Sequence, residues 1–179
     1  MPIGPKILLR LVKEGKLVEN LSERELQNPE GAGFDLRIGE IYQTKGKGFL
    51  GILERETPKA TVMASYNERK IQKISLKPGE YYLMRTIETV NLPDDLIAYP
   101  QSRGTLHRSG VLLLCNQVNP GYCGQLTFGL ANLGNNIMEI EMGARVAHII
   151  FEKVEGGGSS YRGQWQGGRV AATKKEKQV

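Results

Sequence analysis

The chain has 179 residues, a length that suits one domain with a sizeable core rather than two domains. Hydrophobic residues make up 40% and charged residues 24%, as in ordinary globular proteins, and no apolar run approaches the roughly 20 residues that span a bilayer. The net charge of +5 includes +2 from the tail Lys174–Lys177 (three Lys minus one Glu), and no stripe of basic and aromatic residues occurs elsewhere. We therefore expect no membrane anchor and no nucleic-acid partner, and, without a signal-peptide cleavage pattern, a cytoplasmic location.

The first forty residues contain two helical patterns and then the start of β-structure. The segment Pro5–Asn20 predicts an amphipathic helix, because Pro suits a first helical position and apolar residues recur at helical spacing. A second, short helix is predicted from Ser22, where Glu25 three residues later completes a capping-box pattern. From Phe34 the residues alternate as in a strand.

The middle of the chain predicts many short strands. Residues 45–67 are polar and weakly periodic, and we interpret them as an inserted hairpin or a mobile loop. Two turns, 76–80 and 140–144, each place a Gly where positive φ is favoured, and each precedes an apolar strand. With helices confined to the N-terminus and to residues 103–108, this spacing predicts an all-β fold, a closed barrel or jelly roll with a short N-terminal helix.

The most informative stretch runs from Tyr99 to Asn132. A polar turn at Ser102–Thr105 precedes the apolar strand Val111–Cys115. A tight turn at Asn119–Tyr122 then leads into the alternating strand Gln125–Ala131. Arginines, hydroxyls and backbone N–H groups beside Gly are the groups that a polyphosphate needs, and an aromatic ring after a Pro-Gly turn offers a platform for a sugar or base. These residues predict a nucleotide pocket built on β-structure.

Metal-binding residue types are few and scattered. Cys115 and Cys123 are expected as reduced thiols in a cytosolic chain, and with His107 and His148 they make no credible zinc site. The zinc-deaminase pattern, H-x-E followed by P-C-x-x-C, is absent. Asp35 could orient a phosphate-bound Mg²⁺ indirectly, through water, or could instead bond turn amides in a structural role.

After Val154 the composition changes to a Gly-rich segment that holds the one Trp of the chain. We therefore divide the chain into a barrel domain with its N-terminal helix, residues 1–154, and a closing segment with a basic tail, residues 155–179. Tyr161 and Trp165 lie close together in that segment, which predicts docking over a ligand or a neighbouring subunit. Simple disorder is the alternative.

The chain resembles the dCTP deaminase/dUTPase family, the trimeric dUTPase-like superfamily. The resemblance spans residues 31–168 and is carried, in order, by A-G-x-D-L at 32–36, L-x-P-G-E at 76–80, the segment 103–110, P-G-Y-x-G at 120–124 and Y-R-G-x-W-Q-G at 161–167. It implies a distorted β-barrel, a homotrimer with active sites between subunits, and a pyrimidine deoxynucleoside triphosphate as ligand, bound with Mg²⁺. Because the zinc-deaminase pattern is absent, a deaminase of this kind would have to activate water without a zinc ion.

The resemblance also implies roles for individual residues. Arg108 matches an arginine beside the substrate, and Gly104 replaces a phosphate-binding serine of the family. Tyr122 falls where an aromatic ring packs against the sugar, and Gln164 stands where a lysine is common. The implied nucleotide-binding set is Arg103, Gly104, Thr105, Arg108, Asn119, Tyr122, Tyr161, Gln164 and Gln166.

Two departures remove the bases that the family uses. The glutamate of the deaminases, three residues before the matched Asn132, is Gly129 here, and the aspartate of the dUTPases is Asn119. An amide has no useful basicity at neutral pH. His107 and Arg108 remain as catalytic candidates, and His107 is equally well explained as a turn residue.

Three functions follow as alternatives. The motifs at 103–110 and 161–167 favour a dCTP deaminase-like enzyme that converts dCTP and water to dUTP and ammonia. The first alternative is a dUTP diphosphatase, which would give dUMP and pyrophosphate with Mg²⁺. The second alternative, favoured by Asn119 and Gly129, is a catalytically impaired nucleotide-binding sensor.

Overall fold

Strands carry most of the ordered structure, and the computed structural model describes residues 1–178. Within them lie the α-helices Pro5–Gly15 (α1), Glu23–Gln27 (α2) and Gly104–Arg108 (α3), and a 3-10 turn at Gln166–Gly168. The strands are Val18–Glu19 (β1), Gly33–Lys45 (β2), Phe49–Leu50 (β3), Glu54–Glu56 (β4), Lys59–Ser65 (β5), Lys73–Leu76 (β6), Tyr81–Asn91 (β7), Leu96–Ser102 (β8), Val111–Leu114 (β9), Cys123–Asn132 (β10), Met138–Glu141 (β11), Arg145–Lys153 (β12) and Glu176–Lys177 (β13).

The main sheet curls into a nearly closed, distorted barrel, which confirms the predicted fold class. In the described part of the chain, its strands follow the order β8-β12-β2-β7-β10-β9, with β1 added to β7 and β5 to β2. The chain just after β9 returns to the other edge of the sheet, where the backbones of Val118 and Ala98 of β8 exchange hydrogen bonds of 2.8 and 3.1 Å. Apolar side chains such as Phe34, Met84 and Leu130 are fully buried inside. No helix within residues 1–178 is long and apolar enough to cross a membrane.

Helix α1 is shorter than predicted. It ends at Gly15, and Lys16 adopts a left-handed φ of 51° that turns the chain out of the helix. Leu17 and Val18 are buried, and Val18 pairs with β7 as part of β1. The predicted end at Asn20 was therefore wrong, because these apolar residues continue the helical pattern in sequence but pack as extended chain.

Helix α2 begins after Ser22 as predicted, but the capping box does not form. Ser22 makes no side-chain cap, and Glu25 points into the protein, where it is 1% exposed. Its carboxylate accepts the backbone N–H of Asp35 at 2.9 Å and pairs with Arg24. Glu25 thus ties α2 to β2.

Residues 45–67 form a hairpin rather than a loop. Strands β3 and β4 pair with Phe49 opposite Glu56, and β5 returns along β2 with Lys59 opposite Lys45. Strand β13 adds to the outer edge of β4. The C-terminal tail therefore binds to the hairpin through the pairing of β13 with β4.

The buried carboxylate of Asp35 joins three parts of the barrel. It lies on β2 and accepts hydrogen bonds from Arg145 at 2.8 Å and from Nδ1 of His148 at 2.9 Å, both on β12. Arg103, just before α3, also pairs with it. Burial alone would raise the pKa of Asp35, but the hydrogen bonds from His148, Arg103 and Arg145 outweigh burial and lower it to about 2.

We expect Asp35→Asn to destabilise the protein by about 1.5–3 kcal/mol at neutral pH, because its partly exposed cationic partners would lose their charge-assisted hydrogen bonds. The pKa of Asp35 in the folded protein, about 2, lies below its ordinary value of 3.8. The stabilisation by its charge is therefore complete at pH values well above 3.8 and is lost as the pH falls towards 2. Urea unfolding of both proteins at several pH values checks this. The difference in unfolding free energy should shrink below about pH 4, and equal stabilities at neutral pH would contradict the ion cluster.

Candidate functional site

A cavity of about 610 Å³ opens beside β10, and we call it the Tyr122 cavity. Leu83, Leu114 and Leu126 give it an apolar floor, whereas Asn119 and Arg169 are among its polar lining residues. Ligand sites commonly combine this volume with mostly apolar walls and a few polar groups. The cavity is therefore large enough for the base and sugar of a nucleotide.

Four of the predicted site positions line this cavity: Asn119, Tyr122, Gly129 and Tyr161. The rings of Tyr122 and Tyr161 meet edge to face with centroids 5.5 Å apart. The Tyr122 hydroxyl donates to the carbonyl of Gln125 at 2.7 Å, and burial raises the pKa of Tyr122 to about 12. Tyr122 is therefore a fixed, neutral aromatic wall rather than a base.

The C-terminal segment folds back over the cavity in the same chain. Nε2 of Gln166 donates to the carbonyl of Gly121 at 3.0 Å, and Oε1 accepts the N–H of Cys123 at 3.1 Å. Further on, Ala172 is fully buried and exchanges two hydrogen bonds with Thr57. Residues 155–178 are thus anchored on both sides of the cavity, and the division of the chain at residue 154 stays a prediction.

Trp165 and Gln164 lie within this closing segment. Trp165 lines the cavity, and the guanidinium of Arg55 sits over its ring at 4.7 Å from the centroid. Gln164 donates instead to the carbonyl of Lys177. Trp165 therefore contributes to the cavity wall, whereas the Gln164 amide holds the tail.

The predicted residues in and just before α3 do not line this cavity. Arg103 is held by Asp35, while Thr105, His107 and Arg108 are exposed. Their chain neighbour Gly104 leaves room for a folded arginine, since a Cβ at that position would lie 2.5 Å from Nη1 of Arg108. The structure thus separates the implied site into a cavity group and an α3 group.

Gly129 faces a residue that sequence reasoning missed. A Cβ at Gly129 would lie 2.8 Å from the Tyr81 hydroxyl oxygen and 3.2 Å from Cβ of Leu114. Tyr81 reaches this place because β7 pairs antiparallel with β10, with Ala131 opposite Tyr81 and Gly129 opposite Leu83. The alternation of β7 puts Tyr81 and Leu83 on one face, but only the pairing register brings that face to Gly129.

The cavity offers no carboxylate within residues 1–178. The same residues hold no group of three or more His, Cys, Asp or Glu side chains that could bind a metal ion. Asp35 is buried beneath Arg103, Arg145 and His148, and both of its oxygens are engaged. Groups of the protein itself therefore engage the Asp35 carboxylate, and its indirect role toward a phosphate-bound Mg²⁺ stays a prediction.

Comparison with known proteins assigns the family. A family model described as dCTP deaminase-like matches residues 4–154. The dCTP deaminase of Pyrococcus furiosus is 35% identical over 168 residues, which cover 93% of this chain and 95% of that protein. A dUMP-forming dCTP deaminase of Dictyoglomus thermophilum is 30% identical over 159 residues, which cover 86% and 81%. The chain therefore belongs to the dCTP deaminase-like family, as its motifs predicted.

A solved structure supports the same fold. The crystal structure of 2′-deoxycytidine 5′-triphosphate deaminase from Agrobacterium tumefaciens matches with a TM-score of 0.64 at 16% sequence identity. The match covers 86% of this chain and 48% of that chain, so this protein spans about half the length of the solved one. At this identity the likeness establishes the fold alone.

Proposed function

We propose that the protein binds a pyrimidine deoxynucleoside triphosphate in the Tyr122 cavity and has little of the catalytic activity of its family. The observation that carries this proposal is the composition of the cavity. It pairs an aromatic wall of Tyr122 and Tyr161 with an apolar floor, and within residues 1–178 no carboxylate lines it. Such a cavity suits a base and a sugar, but it lacks a group that could take a proton from water.

The triphosphate in this proposal is held by a second copy of the chain. Arg108 is exposed on α3 and does not line the cavity of its own protomer. A homotrimer with sites between subunits, as the resemblance implies, would carry Arg108 and Thr105 to a neighbouring cavity. Mg²⁺ would enter with the triphosphate, and a cytoplasmic location belongs to the same proposal.

The proposed loss of chemistry follows from the groups that remain. Gly129 has no side chain, and Asn119 has an amide without useful basicity. Burial raises the pKa values of Tyr81 and Tyr122, so both phenols keep their protons at neutral pH. Removal of a positioned general base typically costs on the order of 10²–10⁴-fold in rate.

Hydrolytic deamination of dCTP to dUTP and ammonia is the second candidate function. A relative named as a dCTP deaminase is 35% identical to this chain over 93% of its length, which favours it. The 30% identical relative is named as dUMP-forming, so it supports dCTP as the substrate rather than dUTP as the product. The base would then have to come from another subunit, and His107, exposed on α3, is the first residue to replace. The remaining function, hydrolysis of dUTP to dUMP and pyrophosphate, would need a base beside Asn119.

Incubation of the pure protein with each deoxynucleoside triphosphate, with and without Mg²⁺, separates these functions. We expect nucleotide binding by calorimetry together with turnover at least about 100-fold below an ordinary 1 s⁻¹ or so. Release of ammonia from dCTP at an ordinary rate would establish the deaminase and overturn the impaired site. Release of pyrophosphate from dUTP at that rate would establish the diphosphatase instead.

Replacement of Arg108 tests the contribution of α3. We expect Arg108→Ala to weaken nucleotide binding by about 1.5–3 kcal/mol while leaving the unfolding temperature unchanged, because an exposed guanidinium would lose only its charge-assisted contact to phosphate. Calorimetry with dCTP and dUTP measures the effect. Arg69→Ala, which removes another exposed arginine, is the matched control. Equal affinities of the parent and Arg108→Ala would place Arg108 outside the site.

A further inference from the structure

The side chain of Tyr81 occupies the space beside Gly129. It lies at the start of β7, is 44% exposed and lines the Tyr122 cavity. A Cβ added to Gly129 would approach its hydroxyl oxygen to 2.8 Å and Cε2 to 2.9 Å, closer than real Cβ contacts come. The phenol therefore fills the volume that any side chain at position 129 would enter.

The side chains packed around Tyr81 and Gly129 are mostly apolar. Leu83 lies opposite Gly129 and Leu114 lies 3.2 Å from a Cβ at that position, and the Thr127 hydroxyl is buried without a hydrogen-bond partner among residues 1–178. A nucleotide that enters the cavity would place its flat base against such a surface and keep its charged triphosphate near solvent, because burial of unpaired charge is costly. The Tyr81 hydroxyl would then meet the edge of the base.

The chemistry of a neutral phenol limits what that edge can be. Burial raises the pKa of Tyr81, so the hydroxyl keeps its hydrogen at neutral pH. It can donate that hydrogen to a ring oxo group. An exocyclic amino group offers no acceptor, so the hydroxyl can only accept from it, and the donated hydrogen bond to the base is lost.

We propose that Tyr81 is a specificity-determining residue of the Tyr122 cavity: its ring closes the space at Gly129, and its hydroxyl donates to the 4-oxo group of a uracil or thymine base. The cavity thereby prefers an oxo pyrimidine to cytosine. This inference rests on the proposed nucleotide-binding function and names the class of base that the cavity selects.

Calorimetry with dUTP and dCTP on the parent, Tyr81→Phe and Tyr82→Phe tests the proposal. Tyr82 is the matched control, because it lies on the opposite face of β7 and lines a different cavity. The parent should bind dUTP more tightly than dCTP. Tyr81→Phe should lose about 3- to 10-fold in dUTP affinity and less than about twofold in dCTP affinity, as expected for one hydrogen bond. Tyr82→Phe should match the parent.

The outcomes separate this inference from the proposed function. If the parent binds neither nucleotide, both are overturned. If the parent binds nucleotides but Tyr81→Phe changes both affinities equally or neither, the specificity role of Tyr81 alone is overturned.

A second pair of variants tests the packing of Tyr81 on Gly129. Gly129→Ala should weaken dUTP binding, because the new methyl group displaces the phenol. In a Tyr81→Ala background the same change at Gly129 should cost much less, since the phenol is gone and the remaining close neighbour is Cβ of Leu114 at 3.2 Å. Equal losses in both backgrounds would show that the two residues act independently and would overturn the proposal.

Discussion

The buried charge of Asp35 constrains how the rest of the barrel is assembled. A carboxylate removed from water must be met by cations and hydrogen-bond donors, and here they come from Arg103, Arg145 and His148. The cluster therefore locks β2 to β12 and fixes the chain just before α3. The ion pair with Asp35 also distinguishes the two arginines of that region. Arg103 is held against Asp35 and is only partly exposed, whereas Arg108 stays exposed on the helix.

Local signals in the sequence predicted local structure well. Gly79 and Gly143 adopt φ values of 81° and 92°, as their turns required, and each precedes a strand. The errors occur where distant parts of the chain compete for the same residue. Val18 fits a helical pattern but pairs with β7, and Glu25 fits a capping box but binds the N–H of Asp35. Such choices depend on tertiary contacts that no short window contains.

The candidate site divides in the same way. The turn at 119–122 is a local motif. The family resemblance places a glutamate three residues before Asn132, and this spacing identified Gly129 as the position without that side chain. Tyr81 could not be found in this manner, since its approach to Gly129 depends on the register between β7 and β10. The closing segment was predicted to dock over a ligand or a neighbouring subunit. It lines the cavity of its own chain with Tyr161 and Trp165, and Gln166 anchors it there.

The packing of the Tyr81 phenol, from β7, in the space beside Gly129 links the fold to the proposed function. The same packing that leaves the cavity without a carboxylate also supplies a neutral hydrogen-bond donor beside Gly129. A crystal structure of the protein with α,β-imido-dUTP bound tests this most directly. We expect the uracil to lie in the Tyr122 cavity with its 4-oxo group within about 3 Å of the Tyr81 hydroxyl. A nucleotide bound elsewhere, or a base turned away from Tyr81, would contradict it.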